Sequence, residues 1–160
     1  MKHWYVLYTK PRHEKKATER LTDKGFNMYC PMVRSVRQWS DRKKKVWLPM
    51  FTSYVFAELD GVERIEILED PGILNFVFWL REPATLTNEE VNAIREIESK
   101  GQDIKIENEI PKKGENMHIQ DGPFKGLNGQ VDHVDQNKMI LLIEKLGIKI
   151  RFNYYSKVER

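Results

Sequence analysis

The side chains that most often carry catalysis or metal chemistry are scattered in this chain of 160 residues. His3, His13, His118 and His133 do not cluster with Cys30, the only cysteine, at metal-ligand spacings. No glycine-rich phosphate loop, nucleophile elbow or capped carboxylate pair is present. The expectation is a protein that is not an enzyme, with no catalytic residue, no metal and no cofactor. The chemistry its residues can do is recognition, through one aromatic pattern and two basic ones.

The aromatic pattern lies in Pro49 to Leu59, PMFTSYVFAEL, which reads as a strand bounded by Pro49 and Asp60-Gly61. Alternation puts Tyr54 and Phe56 on one face and Val55, Ala57 and Leu59 on the other. The small aliphatic face suits a helix packed on a sheet. The aromatic face needs more protein, a partner or stacked bases to cover it, and from this stretch alone ordinary burial on both faces is the favoured reading.

The first basic pattern is Arg12, Lys16 and Arg20, spaced i, i+4, i+8 on a predicted helix, with Lys15 beside them. Many such ridges are only solvated, but the excess of one sign fits a phosphate backbone. The second is the tip of a predicted hairpin carrying Arg37, Arg42, Lys43, Lys44 and Lys45, with Trp39 and Trp47 on its arms. That composition suits contact with nucleic acid, and it equally suits keeping a strand edge soluble.

The elements that position these residues follow in order. Trp4–Thr9 predicts a first strand, Pro11 to Lys24 a helix stopped by Gly25, and Phe26–Val36 a second strand passing through Cys30-Pro31. The hairpin and the Pro49–Leu59 strand come next, then a short helix over 61–69 stopped by Asp70-Pro71-Gly72, and a strand over Ile73–Leu80. Thr87 and Glu90 spell a capping box for a further helix that ends at Gly101. The order β-α-β-β-α-β predicts an α+β fold, a ferredoxin-like antiparallel sheet with helices on one face. Residues 105–111 read as a linker, separating a domain over 1–104 from one over 112–160. The second is short-stranded and small enough to be a β-barrel. Within it Met139–Leu146 fits a helix or a buried strand, but Ile148, Ile150 and Phe152 alternate with Lys149 and Arg151 and favour strands, with Gly147 as the turn between.

No apolar run has the length of a membrane span, and the N-terminus enters a strand pattern with no signal-peptide core. A lone cysteine makes a reducing cytoplasm the expected setting. The net charge of +3 hides a polarised chain: residues 1–48 carry +9, residues 49–110 carry −9 and the remainder +3.

The most specific signal is Gly122-Pro123-Phe124-Lys125-Gly126 followed by Gly129-Gln130-Val131. It resembles the KOW motif, a tight Gly-Pro-Phe-x-Gly turn before a Gly-x-Val strand. Trp4-Tyr5-Val6, Tyr54-Val55-Phe56, Asp70-Pro71-Gly72-Ile73 and Phe76-Val77 resemble the N-terminal domain of the NusG family. Within it, Trp4 to Arg12, Gln38 to Lys44 and Ser53 to Phe56 look most like the specialised UpxY-type members, related in role to RfaH. Phe51-Thr52 departs from the Phe-Pro that many members carry there.

The resemblance implies a monomeric transcription elongation factor or antiterminator. Phe51, Tyr54, Phe56 and Ile73 would contact the clamp helices of RNA polymerase. Lys10, Arg12, Lys16, Arg20, Arg42, Lys43 and Lys44 would lie over DNA and its nontemplate strand. Gly122, Pro123, Phe124, Gly126 and Gly129 would shape the turn of a KOW domain that recruits a ribosomal protein or a termination factor. Two other readings compete: an RRM-like RNA-binding module, which shares the β-α-β-β-α-β order, and a ribosome-associated protein using the KOW domain on RNA.

Overall fold

The computed structural model describes residues 1–39, 42–108, 117–118, 124, 126–131 and 137–154, for a few of which, Lys44 among them, the backbone alone. The chain divides into two compact units, Met1–Leu86 and Thr87–Arg160.

In the first unit, β1 (His3–Thr9) forms where alternation predicts it. The chain then turns: Lys10 N–H donates to Gly72 O at 3.0 Å and His13 N–H to Lys10 O at 3.0 Å. Arg12 takes a left-handed φ of 64° in this turn. That conformation delays the helix, so α1 spans Glu14–Asp23 rather than starting at Pro11. It stops as expected at Gly25, whose φ of 98° lets Phe26 N–H reach back to Leu21 O at 3.0 Å.

The strand expected over 26–36 is two, β2 (Asn27–Tyr29) and β3 (Met32–Trp39), because Pro31 has no N–H to continue a ladder. β3 pairs with β4 (Arg42–Pro49) as the expected hairpin, in register from Met32 opposite Pro49 to Trp39 opposite Arg42. The next strand is shorter than expected. Ser53 has φ 65°, and its N–H is held by the buried Glu14 at 2.9 Å, so the backbone turns before β5 (Tyr54–Leu59) and Phe51 lies outside the strand.

α2 (Glu63–Glu66) runs into a 3-10 turn at Ile67–Glu69. Only Ile67 of its apolar side chains is buried; Val62, Ile65 and Leu68 are exposed. The strand expected over 73–80 is also broken. β6 (Ile73–Phe76) ends where Val77 N–H turns to Val6 O at 2.9 Å. β7 (Phe78–Trp79) and β8 (Glu82–Pro83) then form a hairpin across Leu80 and Arg81, both at positive φ, before β9 (Thr85–Leu86).

The main sheet has the order β2-β5-β1-β6, all neighbours antiparallel, with β9 also alongside β1. This is the strand order of a ferredoxin-like sheet, with the β3–β4 ribbon inserted between β2 and β5. Ala17 and Leu21 of α1 and Ile67 pack with Tyr5, Leu7, Val55, Ala57 and Leu59, so the helices cover the small aliphatic face as expected.

In the second unit, α3 (Asn88–Lys100) opens on the expected capping box. Thr87 Oγ1 accepts Glu90 N–H at 3.1 Å, and Glu90 accepts Thr87 N–H at 3.3 Å. β10 (Gln102–Asn108) follows directly and pairs with β14 (Ile148–Asn153). Residues 105–108 of the expected linker are thus strand, and the division by contacts falls at 86/87, ahead of α3. The reason is readable afterwards: Ile104 and Ile106 alternate with charged residues, and Ile106 lies opposite the fully buried Ile150.

The sheet continues through β13 (Lys138–Ile143), β12 (Asn128–Val131) and β11 (Met117–His118) in the order β10-β14-β13-β12-β11. Among the described residues it is an open five-stranded antiparallel sheet rather than a closed ring. Met139 to Ile143 is strand, and Gly147 at φ 61° closes the turn into β14, as the alternation beyond it predicts.

Candidate functional site

Directly paired residues of an antiparallel ladder share a face. On β1 and β5 the pairs Trp4–Glu58, Val6–Phe56 and Tyr8–Tyr54 therefore line the face opposite the helix-covered one. Its aromatic groups are graded in depth. Phe56 is fully buried, with its ring centroid 5.6 Å from that of Phe51 and 6.1 Å from that of Tyr29. Phe51 is itself 2% exposed. At the open end of the row Tyr8, 38% exposed, meets the half-buried Tyr54 with ring centroids 5.1 Å apart. Burial first, and then the bond to Tyr8, push the Tyr54 phenol up to about 12.

Of the four residues expected to face a protein partner, Tyr54 alone reaches solvent. Phe51 and Phe56 lie beneath it as support. Ile73 is elsewhere: it pairs with Thr9 at the sheet edge and packs in the core on the helix side. Its place in the sequence beside the Asp70-Pro71-Gly72 turn gave no indication of which face it joins. Tyr8 was missed. The period of two in β1, which puts it in line with Trp4 and Val6, was the signal that could have found it.

The basic residues divide in the same way. Lys10, Arg12 and Lys16 are exposed, Lys10 two residues beyond Tyr8. Arg12 belongs to the turn and not to the helix, so the expected i, i+4, i+8 ridge is reduced to Lys16 and its neighbours. Arg20 is committed elsewhere. Its Nη2 and Nε donate to the two carboxylate oxygens of Asp70 at 2.8 and 3.1 Å, and Asp70 has no exposed side-chain surface. Arg42 and Lys43 are exposed on β4; the Lys44 side chain lies outside the described residues.

In the second unit Phe124 is buried against Phe152 and Tyr154, with ring centroids 5.4 and 5.3 Å away. Gly126 takes φ 87°, a conformation that favours glycine. Gly129 is buried on β12 between Met117 and Leu141. Gly122 and Pro123 lie outside the described residues.

This arrangement offers surfaces for binding. Among the described residues no group of three or more His, Cys, Asp or Glu side chains could hold a metal ion, and no helix is long and apolar enough to cross a membrane.

The family model described as transcription termination factor nusG matches residues 2–95. The chain is 24% identical to the transcription termination/antitermination protein NusG of Rickettsia felis, covering 98% of this chain and 91% of that one. It is 25% identical to the NusG of Staphylococcus epidermidis, over 98% and 96% of the two chains. To that of Streptococcus pyogenes serotype M1 it is 27% identical, over 91% and 88%. A solved structure described as domain interaction in Thermotoga maritima NusG shares the fold, with a TM-score of 0.55 at 18% identity over 99% of this chain and 98% of that one. The chain belongs to the NusG family.

Proposed function

We propose that the protein is a transcription elongation factor that acts in antitermination, binding RNA polymerase through its N-terminal domain and a second factor through its KOW domain. Membership of the NusG family over residues 2–95 is the observation that carries this reading. The polymerase contact is assigned to Tyr54 and Tyr8, the solvent-reaching end of an aromatic row whose buried members Phe51 and Phe56 hold it from beneath. An amphipathic aromatic pair on a rigid strand is a suitable interface anchor. Lys10 and Arg12 adjoin it, so a surface that takes protein passes into one that can take phosphate. Arg42, Lys43 and Lys44 on the ribbon extend the nucleic-acid contact to the nontemplate strand.

The KOW turn, Gly122 to Gly126, and the sheet beyond it would take a ribosomal protein or a termination factor. The specialised UpxY-type role rests on Trp4 to Arg12, Gln38 to Lys44 and Ser53 to Phe56, and the reducing cytoplasm on the single cysteine. A monomer is the proposed state. Purified protein incubated with RNA polymerase and with assembled elongation complexes tests the reading. Retention on polymerase that Tyr54→Ala abolishes supports it. Tight binding to free RNA with none to polymerase overturns it in favour of an RNA-binding module.

A further inference from the structure

We propose that Arg34 and Trp47 form a stacking platform for an unpaired nucleobase. The proposal deepens the nucleic-acid part of the proposed function and rests on it. The two residues are a register pair across the β3–β4 ribbon. The Arg34 guanidinium carbon lies 5.2 Å from the centroid of the Trp47 ring, within cation–π range. Trp47 is still 57% exposed. One side of the indole is therefore capped by a cation, and more than half of the residue's surface remains open to solvent. A tryptophan that only shielded the ribbon would lie flat against it and be covered.

The surroundings identify the ligand. β3 and β4 together carry six Lys/Arg and no Asp/Glu. Open aromatic faces for bases and cations for phosphates are the two components of a single-strand binding groove. Lys43 is exposed and four residues from Trp47 on the same strand, hence on the same face and about 13 Å away. One strand laid along the ribbon thus sets a base on Trp47 and a phosphate on Lys43. An acidic peptide would be drawn to the same cations, but a carboxylate gains nothing from a π-face already backed by a guanidinium. Arg34 holds the ring outward and adds positive charge beside the stacked base.

Full-length protein is titrated with a short labelled oligothymidine and with an abasic oligomer of the same number of phosphates. The expected result is that the base-bearing oligomer binds about ten-fold more tightly. Trp47→Ala should remove this preference and leave abasic binding unchanged, while Trp47→Phe keeps part of it. Lys43→Glu should weaken both oligomers and flatten the dependence on salt. A matching oligouridine shows which strand the platform prefers, since either sugar carries a base. Equal affinity of the wild type for the two thymidine oligomers, or a preference that survives Trp47→Ala, overturns the platform and leaves the basic contact standing. Competition by polyglutamate as effective as by the oligomer also overturns it, in favour of an acidic peptide. Failure of the wild type to bind any oligomer overturns the platform and the nucleic-acid reading together.

Discussion

Arg20 and Asp70, fifty residues apart, lock α1 to the turn that leads into β6. The guanidinium bonds both carboxylate oxygens, and Asp70 Oδ1 also accepts Gly72 N–H at 2.8 Å. The room is tight: a Cβ on Gly72 would come within 2.8 Å of Arg20 Nη2. The bond from Arg20 holds the Asp70 carboxyl below its ordinary range, with burial opposing and the Gly72 N–H assisting. A carboxyl depressed in the folded state stabilises above its unfolded pKa, about 4, and loses that contribution as pH falls through the folded value. Asp70→Asn should lower Tm by roughly 5 °C at neutral pH. Thermal melts from pH 7 downward should then show a shallower acid decline in the variant. A decline as steep as the wild type's would assign the acid sensitivity to other carboxylates.

Tyr54 and Phe56 share a face but should respond to truncation in opposite ways. Phe56→Ala empties a fully buried site and is expected to cost about 3–5 kcal/mol. Tyr54→Ala removes a half-buried ring and should leave the melt nearly unchanged while abolishing retention on RNA polymerase. Paired melts and pull-downs separate the two. Normal retention of a folded Tyr54→Ala variant would move the polymerase contact off this face.

How much of this was legible before the structure follows from what each residue interacts with. Local signals were readable: the alternation of β1, the glycine stop of α1, the Thr87–Glu90 capping box and the turn at Gly147. The helix-covered face of β5 was readable too, because small aliphatic residues at a period of two leave few other roles. The depth of Phe56 was not, since a strand apolar on both faces has the same alternation whether its second face is core or interface. The partner of Arg20 was equally hidden, because nothing local marks an ion pair formed across fifty residues. β10 was missed for a different reason. Its charged residues resembled a linker, and the alternation of Ile104 and Ile106 was outweighed by them.

The proposed polymerase and DNA surfaces should separate by charge reversal. Lys10→Glu, Arg12→Glu and Lys16→Glu alter exposed residues and leave the Arg20–Asp70 pair intact. The triple variant is expected to bind transcribing complexes several-fold more weakly, with a smaller dependence on salt, and to bind polymerase without nucleic acid normally. Equal weakening on bare polymerase would place these residues against protein.

The second unit has its own pH signature, at the alkaline end. The Tyr154 hydroxyl donates to Glu96 Oε1 at 2.6 Å, tying β14's end to α3. Burial, and then this bond, push the phenol up to about 12, and the same bond draws the Glu96 carboxyl down. In the unfolded chain a tyrosine titrates at about 10. Between those values the folded protein keeps a proton that the unfolded chain has released, so stability falls as pH rises. The contribution is fully present below about pH 10 and is lost as pH rises through the folded value. Tyr54, also raised to about 12, adds to the loss in the same window. Tyr154→Phe should cost about 1 kcal/mol at neutral pH, since Glu96 keeps Lys100 at 3.0 Å. The variant should then lose stability less steeply in alkali, and Tyr154→Phe combined with Tyr54→Phe less steeply still. Chemical denaturation at stepped pH, followed by circular dichroism, measures both effects. Parallel curves for wild type and Tyr154→Phe across the alkaline window would show that the Tyr154–Glu96 bond does not govern this titration.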